Sequence, residues 1–109
     1  MNYPLRGEIY WIDLDPTIGS EIKKTRPALI ISNDQGNKFS NLVIVAPITS
    51  STARVYDFQV KIDLPNIHGK ILLNQIRAVD KVRILSKIAE VNDDDMDKVN
   101  ESIRIALDL

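Results

Sequence analysis

Arg26-Pro27-Ala28-Leu29-Ile30-Ile31 joins a cation and a proline to four consecutive apolar residues. A short continuous apolar run of this kind suits a β-strand buried on both faces, and Asn33-Asp34-Gln35-Gly36-Asn37 is a strong stop after it. Proline cannot donate to a ladder and pushes the preceding residue into extended geometry. The strand therefore starts at Pro27, and Arg26 stands where the polar loop 17–25 meets it. Upstream, residues 8–14 alternate, with Ile9 and Trp11 on one parity, and Asp15-Pro16 turns the chain. Downstream, residues 42–48 form a third strand in which Pro47 predicts an edge or a bulge. Phe58, Val60 and Ile62 alternate with Gln59, Lys61 and Asp63 as a half-buried strand. Ile71-Leu72-Leu73 follow an expected turn at His68-Gly69, and a further strand fits 88–91. Only the end reads as helix. Asn92 can cap, Asp93, Asp94 and Asp95 suit the first turn, and Met96, Val99, Ile103 and Ala106 or Leu107 recur at helical spacing. The expectation is a mainly β fold with a C-terminal α-helix, a small barrel with loop 17–25 rising beside its mouth.

The chain has 109 residues, suited to a single domain over 1–109. With 44% hydrophobic and 27% charged residues it has the balance of a globular protein, and no apolar run approaches the roughly 20 residues of a membrane span. Met1 to Arg6 lacks the order of a signal peptide, and a cytoplasmic location is the simplest expectation. The absence of cysteine excludes disulfides, a thiolate nucleophile and a cysteine zinc site. The net charge of −1 hides a partition. Residues 90–109 hold seven acidic and two basic side chains, a net of −5, which leaves +4 on residues 1–89, twelve basic against eight acidic. That excess is compatible with a basic face for phosphate, or with a fold evenly solvated apart from its acidic helix start.

Metal chemistry has little support. His68 is the only histidine, and Asp93, Asp94 and Asp95 point in different directions from consecutive helical positions, so helix capping explains them better. The four glycines are dispersed and form no phosphate loop. Arg26 offers bidentate donors to a phosphate at any working pH; the alternative is a rim arginine paired with a carboxylate such as Glu21. Thr49-Ser50-Ser51-Thr52 supplies four hydroxyls after a strand, as a turn cluster also would. Lys23 and Lys24 read equally as a solvated pair. Asn74-Gln75, polar inside an apolar stretch, must find partners or face a pocket.

Together these segments resemble the MazF/PemK family of toxin endoribonucleases from bacterial toxin–antitoxin pairs. The match runs through Arg6-Gly7-Glu8-Ile9-Tyr10-Trp11, Leu14-Asp15-Pro16, Gly19-Ser20-Glu21 and Arg26 to Ile31 with Asn33-Asp34. Pro47-Ile48-Thr49, Ile71-Leu72-Leu73-Asn74-Gln75-Ile76-Arg77 and the terminal helix complete it in order. The resemblance implies an SH3-like barrel, a homodimer and no cofactor. It also implies metal-independent cleavage of single-stranded RNA at short sequences, leaving a 2′,3′-cyclic phosphate and a 5′-hydroxyl. It further implies translation block and growth arrest, neutralisation by an antitoxin with a disordered tail, and DNA binding by the toxin–antitoxin complex. The family's arginine falls on Arg26, its threonine on Thr49 and its acidic loop residue on Glu21. Ser20, Lys23, Lys24, Thr25, Ser50, Ser51, Asn74 and Gln75 are the expected RNA contacts. The loop departs from the family's small residues and glycine by reading Ile22-Lys23-Lys24-Thr25. One branch uses an arginine and an aspartate on the later strand with a loop histidine; Leu72, Asn74 and Ser20 occupy those positions here, against that mechanism. CcdB-like toxins share the barrel and bind DNA gyrase without chemistry, which is the alternative on fold alone. A nucleic-acid-binding barrel without catalysis is the third reading.

Overall fold

A computed structural model describes residues 3–21 and 24–109. Seven strands, two α-helices and two single-turn 3-10 segments follow one another among them. The strands are β1 (Glu8–Asp13), β2 (Thr25–Ile30), β3 (Leu42–Thr49), β4 (Gln59–Leu64), β5 (Ile67–Leu72), β6 (Arg77–Asp80) and β7 (Ile84–Glu90). The helices are α1 (Asp34–Phe39) and α2 (Asp93–Leu107). All ladders are antiparallel and run in the order β4-β5-β3-β2-β1-β7, with β6 also on β3.

The expected β-rich fold with a C-terminal helix is present, and the sheet curls so that both faces bury side chains. One core gathers Ile9, Leu29, Ile48, Ile62 and Ile71 under Val99 of α2. The other gathers Ile12, Leu14, Ala28, Ile30, Val45 and Val79. Two-sided burial explains the unbroken apolar run of β2, because successive residues point into different cores. Register shifts between β1 and β7 at Ile9/Tyr10 and Tyr10/Ile12 bend that edge.

Several sequence expectations are corrected. Strand β3 is central, not an edge: it pairs with β2 on one side, and on the other with β6 through Val45 and then β5 from Ile48. Pro47 lies in the gap between those two ladders, where pairing on that edge is interrupted. His68-Gly69 lies inside β5; the turn is Pro65-Asn66, between paired Leu64 and Ile67. The stop after β2 is a short helix. Asn33 caps it by accepting from Gly36 N–H at 2.7 Å, and the buried Asn37 donates to the Ser32 carbonyl at 3.0 Å. The strand expected at 88–91 begins at Ile84, and β6 was not anticipated. The C-terminal helix agrees with its reading: Asn92 accepts from Asp95 N–H at 2.8 Å, Ala106 joins the core and Leu107 stays exposed.

Candidate functional site

Arg26 and Thr49 are brought together by register. Strands β2 and β3 pair Ile30 with Val45, Leu29 with Ala46 and Ala28 with Pro47. Carried two residues further, that register sets Arg26 opposite Thr49, with both side chains on the face that carries Ala28 and Ile30. Both are half-buried at the open end of that core. The Thr49 Oγ1 accepts from Ser51 N–H at 3.4 Å. A hydroxyl that accepts through a lone pair keeps its own proton available to donate.

Gly69 lets this corner close. A Cβ there would lie 2.1 Å from the Thr49 carbonyl oxygen and 3.3 Å from the Ser50 Cα. The backbones of β5 and β3 approach so closely that only glycine fits.

A cavity of 230 Å³ gathers Glu21, Asn74, Gln75, Ile76 and Arg77. Arg77 pairs with Val45 on the strand face that carries Thr49, so this cavity opens on the Arg26–Thr49 side of the sheet. The Glu21 carboxylate accepts from Ile18 N–H at 3.0 Å, closing its own loop turn. A second cleft of 310 Å³ is lined by Thr25, Arg26, Ser50, Trp11 and His68 among others. His68 holds Asp63 through Nδ1.

The root of loop 17–25 is tied down. Leu14 N–H donates to the Lys24 carbonyl at 3.0 Å, and Lys24 N–H donates to Asp15 Oδ1 at 2.9 Å. Lys24 itself has a φ of 69°, a left-handed conformation that costs a side-chain-bearing residue energy and often marks functional loops. Two arginines hold the turn from outside: Arg77 donates to the Leu14 carbonyl at 2.9 Å, and Arg83 to the carbonyls of Asp13 and Asp15. Neither was selected from sequence, because a carbonyl-binding arginine looks like any surface cation. A cation three residues past Asn74 was the available signal for Arg77.

Of the expected site residues, Arg26 and Thr49 lie two residues past the last β2–β3 pair, Ala28 with Pro47, on the same face; Glu21, Asn74 and Gln75 share one cavity, and Thr25 and Ser50 line the other with Arg26. Ser20 and Ser51 are exposed outside both linings, and Lys24 serves the loop root through its backbone. Lys23 lies outside the described residues. Among the described residues no three His, Asp or Glu side chains converge as metal ligands.

The clearly displaced pKa values lie elsewhere, on the β1–β7 edge. Burial disfavours Glu8 ionisation, but Lys87 Nζ at 2.7 Å, Leu5 N–H at 2.6 Å and the Tyr10 hydroxyl at 3.0 Å outweigh it and hold the carboxyl below its ordinary value. Burial, then the Glu8 carboxylate, pushes the Tyr10 hydroxyl up to about 12. The hydrogen bonds to Glu8 and Glu90 raise Lys87.

Comparison with known proteins gives one consistent answer. Residues 5–107 match the family model for PemK-like, MazF-like toxins of type II toxin–antitoxin systems. The chain is 43% identical over 109 residues to endoribonuclease EndoA of Bacillus subtilis (strain 168), covering 95% of this chain and 94% of that one. The crystal structure of MazF (Form-I) from Deinococcus radiodurans superposes with a TM-score of 0.89 at 26% identity over the whole of both chains. A mycobacterial endoribonuclease solved in complex with its cognate antitoxin gives a TM-score of 0.84 at 26% identity, over 97% of this chain and 96% of that one. With a family model spanning nearly every residue and an architecture shared end to end, the chain belongs to the PemK-like, MazF-like toxins of type II toxin–antitoxin systems.

Proposed function

We propose that this chain is a metal-independent endoribonuclease that cuts single-stranded RNA at short sequences, with Arg26 and Thr49 as its catalytic pair. The carrying observation is the β2–β3 register, which pairs Ala28 with Pro47 and, extended two residues, brings Arg26 and Thr49 together on one face, while Glu21, Asn74 and Gln75 line one cavity. An RNA strand can be cut by its own 2′-hydroxyl, whose oxygen attacks phosphorus while the 5′-oxygen leaves. Arg26 clamps the scissile phosphate and supplies positive charge where the transition state gains negative charge. Thr49 donates a hydrogen bond from its hydroxyl to a non-bridging oxygen and keeps its proton. Glu21 has the intrinsic basicity to take the 2′-proton and lines the same cavity as the base-reading amides Asn74 and Gln75. The departing 5′-oxygen takes a proton from water or from the Arg26 guanidinium, leaving a 5′-hydroxyl and a 2′,3′-cyclic phosphate. Ser20, Thr25, Ser50, Ser51 and the lysines Lys23 and Lys24 contact backbone and bases around that centre.

The same reading includes a cytoplasmic site of action, a homodimer, and an antitoxin whose acidic or disordered segment covers the cationic rim. A mycobacterial endoribonuclease solved in complex with its cognate antitoxin supports the antitoxin partner itself. Among the described residues, no helix is long and apolar enough to cross a membrane.

The test compares wild type, Arg26→Ala and Thr49→Ala on mixed RNA in EDTA. Wild type cuts; Thr49→Ala loses on the order of 100-fold in rate, the equivalent of a preorganised donor. Arg26→Ala loses at least as much. Inhibition by the chelator, undiminished cutting by both variants, or 5′-phosphate ends would each overturn part of the assignment.

A further inference from the structure

The site face does not stop at Thr49. Strand β5 pairs Lys70 with Thr49 on one side and with Lys61 of β4 on the other. Directly opposed residues in antiparallel strands project to the same face. Thr49, Lys70 and Lys61 therefore form one row across β3, β5 and β4, and extending the β2–β3 register by two residues adds Arg26 of β2 at its end. The reverse alternation confirms the facing: Val60, Ile62 and Ile71 are buried in the core under α2, while Lys61 is exposed and Lys70 half-buried.

Two lysines facing each other across a ladder repel, and such pairs destabilise a hairpin. Among the described residues, no carboxylate lies within ion-pair distance of Lys61 or Lys70. The acidic neighbour on this face, Asp63, is engaged by His68. Lys70 instead donates to the Arg54 carbonyl, which brings a third cation to this end of the row; its guanidinium lies 4.8 Å over the Tyr56 ring. Three cations and an exposed aromatic beside a conformationally unfavourable lysine pair make a surface that gains stability when an anionic polymer covers it.

We propose that the Lys70–Lys61 row is a phosphate track that carries single-stranded RNA beyond the cleavage centre, lengthening its footprint without reading sequence. The assignment takes the identity of the polymer from the ribonuclease reading. At about 4.8 Å between strands, the row from Arg26 to Lys61 spans roughly 14 Å, room for a short run of flanking nucleotides. Lysine suits this role as a compact point charge that contacts backbone phosphate without selecting a base. RNA is favoured over an acidic peptide because the track continues, strand by strand, from the Arg26–Thr49 pair.

The test measures binding of random-sequence 2′-O-methyl RNAs, which cannot undergo 2′-attack, to wild type and to the Lys61→Gln/Lys70→Gln double variant. Lengths of about 4 and about 16 nucleotides bracket common single-strand footprints. Each lost phosphate contact lowers the salt slope by about 0.7, so the double variant should lose about 1.4 on the long RNA. A fourfold rise in salt then weakens wild-type binding about sevenfold more than variant binding. The short RNA should show no difference. The melting temperature of the variant should not fall, because a repulsive pair has been removed, and Lys61→Glu/Lys70→Glu should deepen the loss on long RNA. Equal salt slopes for wild type and variant, or equal losses on both lengths, would overturn the track. So would retained RNA binding with lost binding of a poly-glutamate peptide, which would assign the row to an acidic protein partner. Cleavage of unmodified long RNA by wild type is scored separately. Lysine-dependent binding without cutting removes the nuclease reading and leaves the track, whereas cutting without lysine dependence removes only the track.

Discussion

At the residue scale, the position of Thr49 depends on the absence of a side chain at Gly69. The 2.1 Å approach that a Cβ at Gly69 would make to the Thr49 carbonyl is backbone against backbone, so no rotamer change relieves it. Gly69→Ala is expected to cost about 1–3 kcal/mol, the range for overpacking a tight contact, and to displace Thr49, the proposed catalytic threonine, as well. A lowered denaturant midpoint together with RNA cleavage reduced beyond the loss of folded protein would verify this; normal activity per folded molecule would contradict it. Arg77 acts at the same scale but through another group. It holds the Leu14 carbonyl at the loop root and lines the cavity of Glu21, which makes it a positioning residue for that loop.

At the scale of elements, the β1–β7 edge carries the pH dependence. The Tyr10 hydroxyl, raised from 10.0 to about 12, favours folding fully below pH 10 and loses that contribution as pH climbs toward 12, since the unfolded chain ionises first. Lys87, raised from 10.5, behaves with the same sign, its contribution fading above that pH. Glu8, lowered from 4.5, contributes above that value and loses its contribution on acidification below it. Chemical denaturation at pH 8 and pH 11 should therefore show a stability drop in wild type that is smaller in Tyr10→Phe. An identical drop would show that this tyrosine does not carry the alkaline sensitivity. The α2 helix offers an independent element-level test. Asn92→Ala removes the acceptor for Asp95 N–H and should lower stability by about 1 kcal/mol in thermal unfolding, while leaving Thr49 chemistry intact.

At the scale of the molecule, two faces of one curled sheet are filled and a third region is left apolar and open. Leu42 and Ile44 alternate to the side of β3 away from the second core, and both are exposed, as are Phe39 on α1 and Val82 after β6. Asn41 accepts from Lys81 N–H at 2.9 Å, which ties the Phe39–Leu42 corner to the Val82 turn. Exposed apolar patches of this kind mark association sites, and we propose this one as the contact of the proposed homodimer. Ile44→Lys should shift sedimentation from dimer toward monomer at micromolar concentration. A variant that sediments as wild type would place the dimer contact elsewhere.

Sequence alone determined the elements whose signal is local. The buried run after Arg26-Pro27, the alternation through Val60 and Ile62 and the capped helix from Asn92 are written in neighbouring residues and are present, although β2 starts at Thr25, two residues before Pro27, because β1 pairs with Thr25 and Arg26 as well. Family membership was legible too, through ordered motifs such as Gly19-Ser20-Glu21, Arg26 to Ile31 and Asn74-Gln75, and it is from those motifs that the proposed site is taken. Tertiary structure decided what depends on partners far along the chain. Whether Pro47 marks an edge or a fork depends on β5 and β6, and the helix after Asn33 depends on Asn37 finding Ser32 inside the fold. Gly69 read as a turn because glycine is locally permissive; only the packing of β5 on Thr49 shows that it is required there for space. The lysine row is invisible to any linear pattern, since antiparallel register is what makes residues 26, 49, 70 and 61 neighbours.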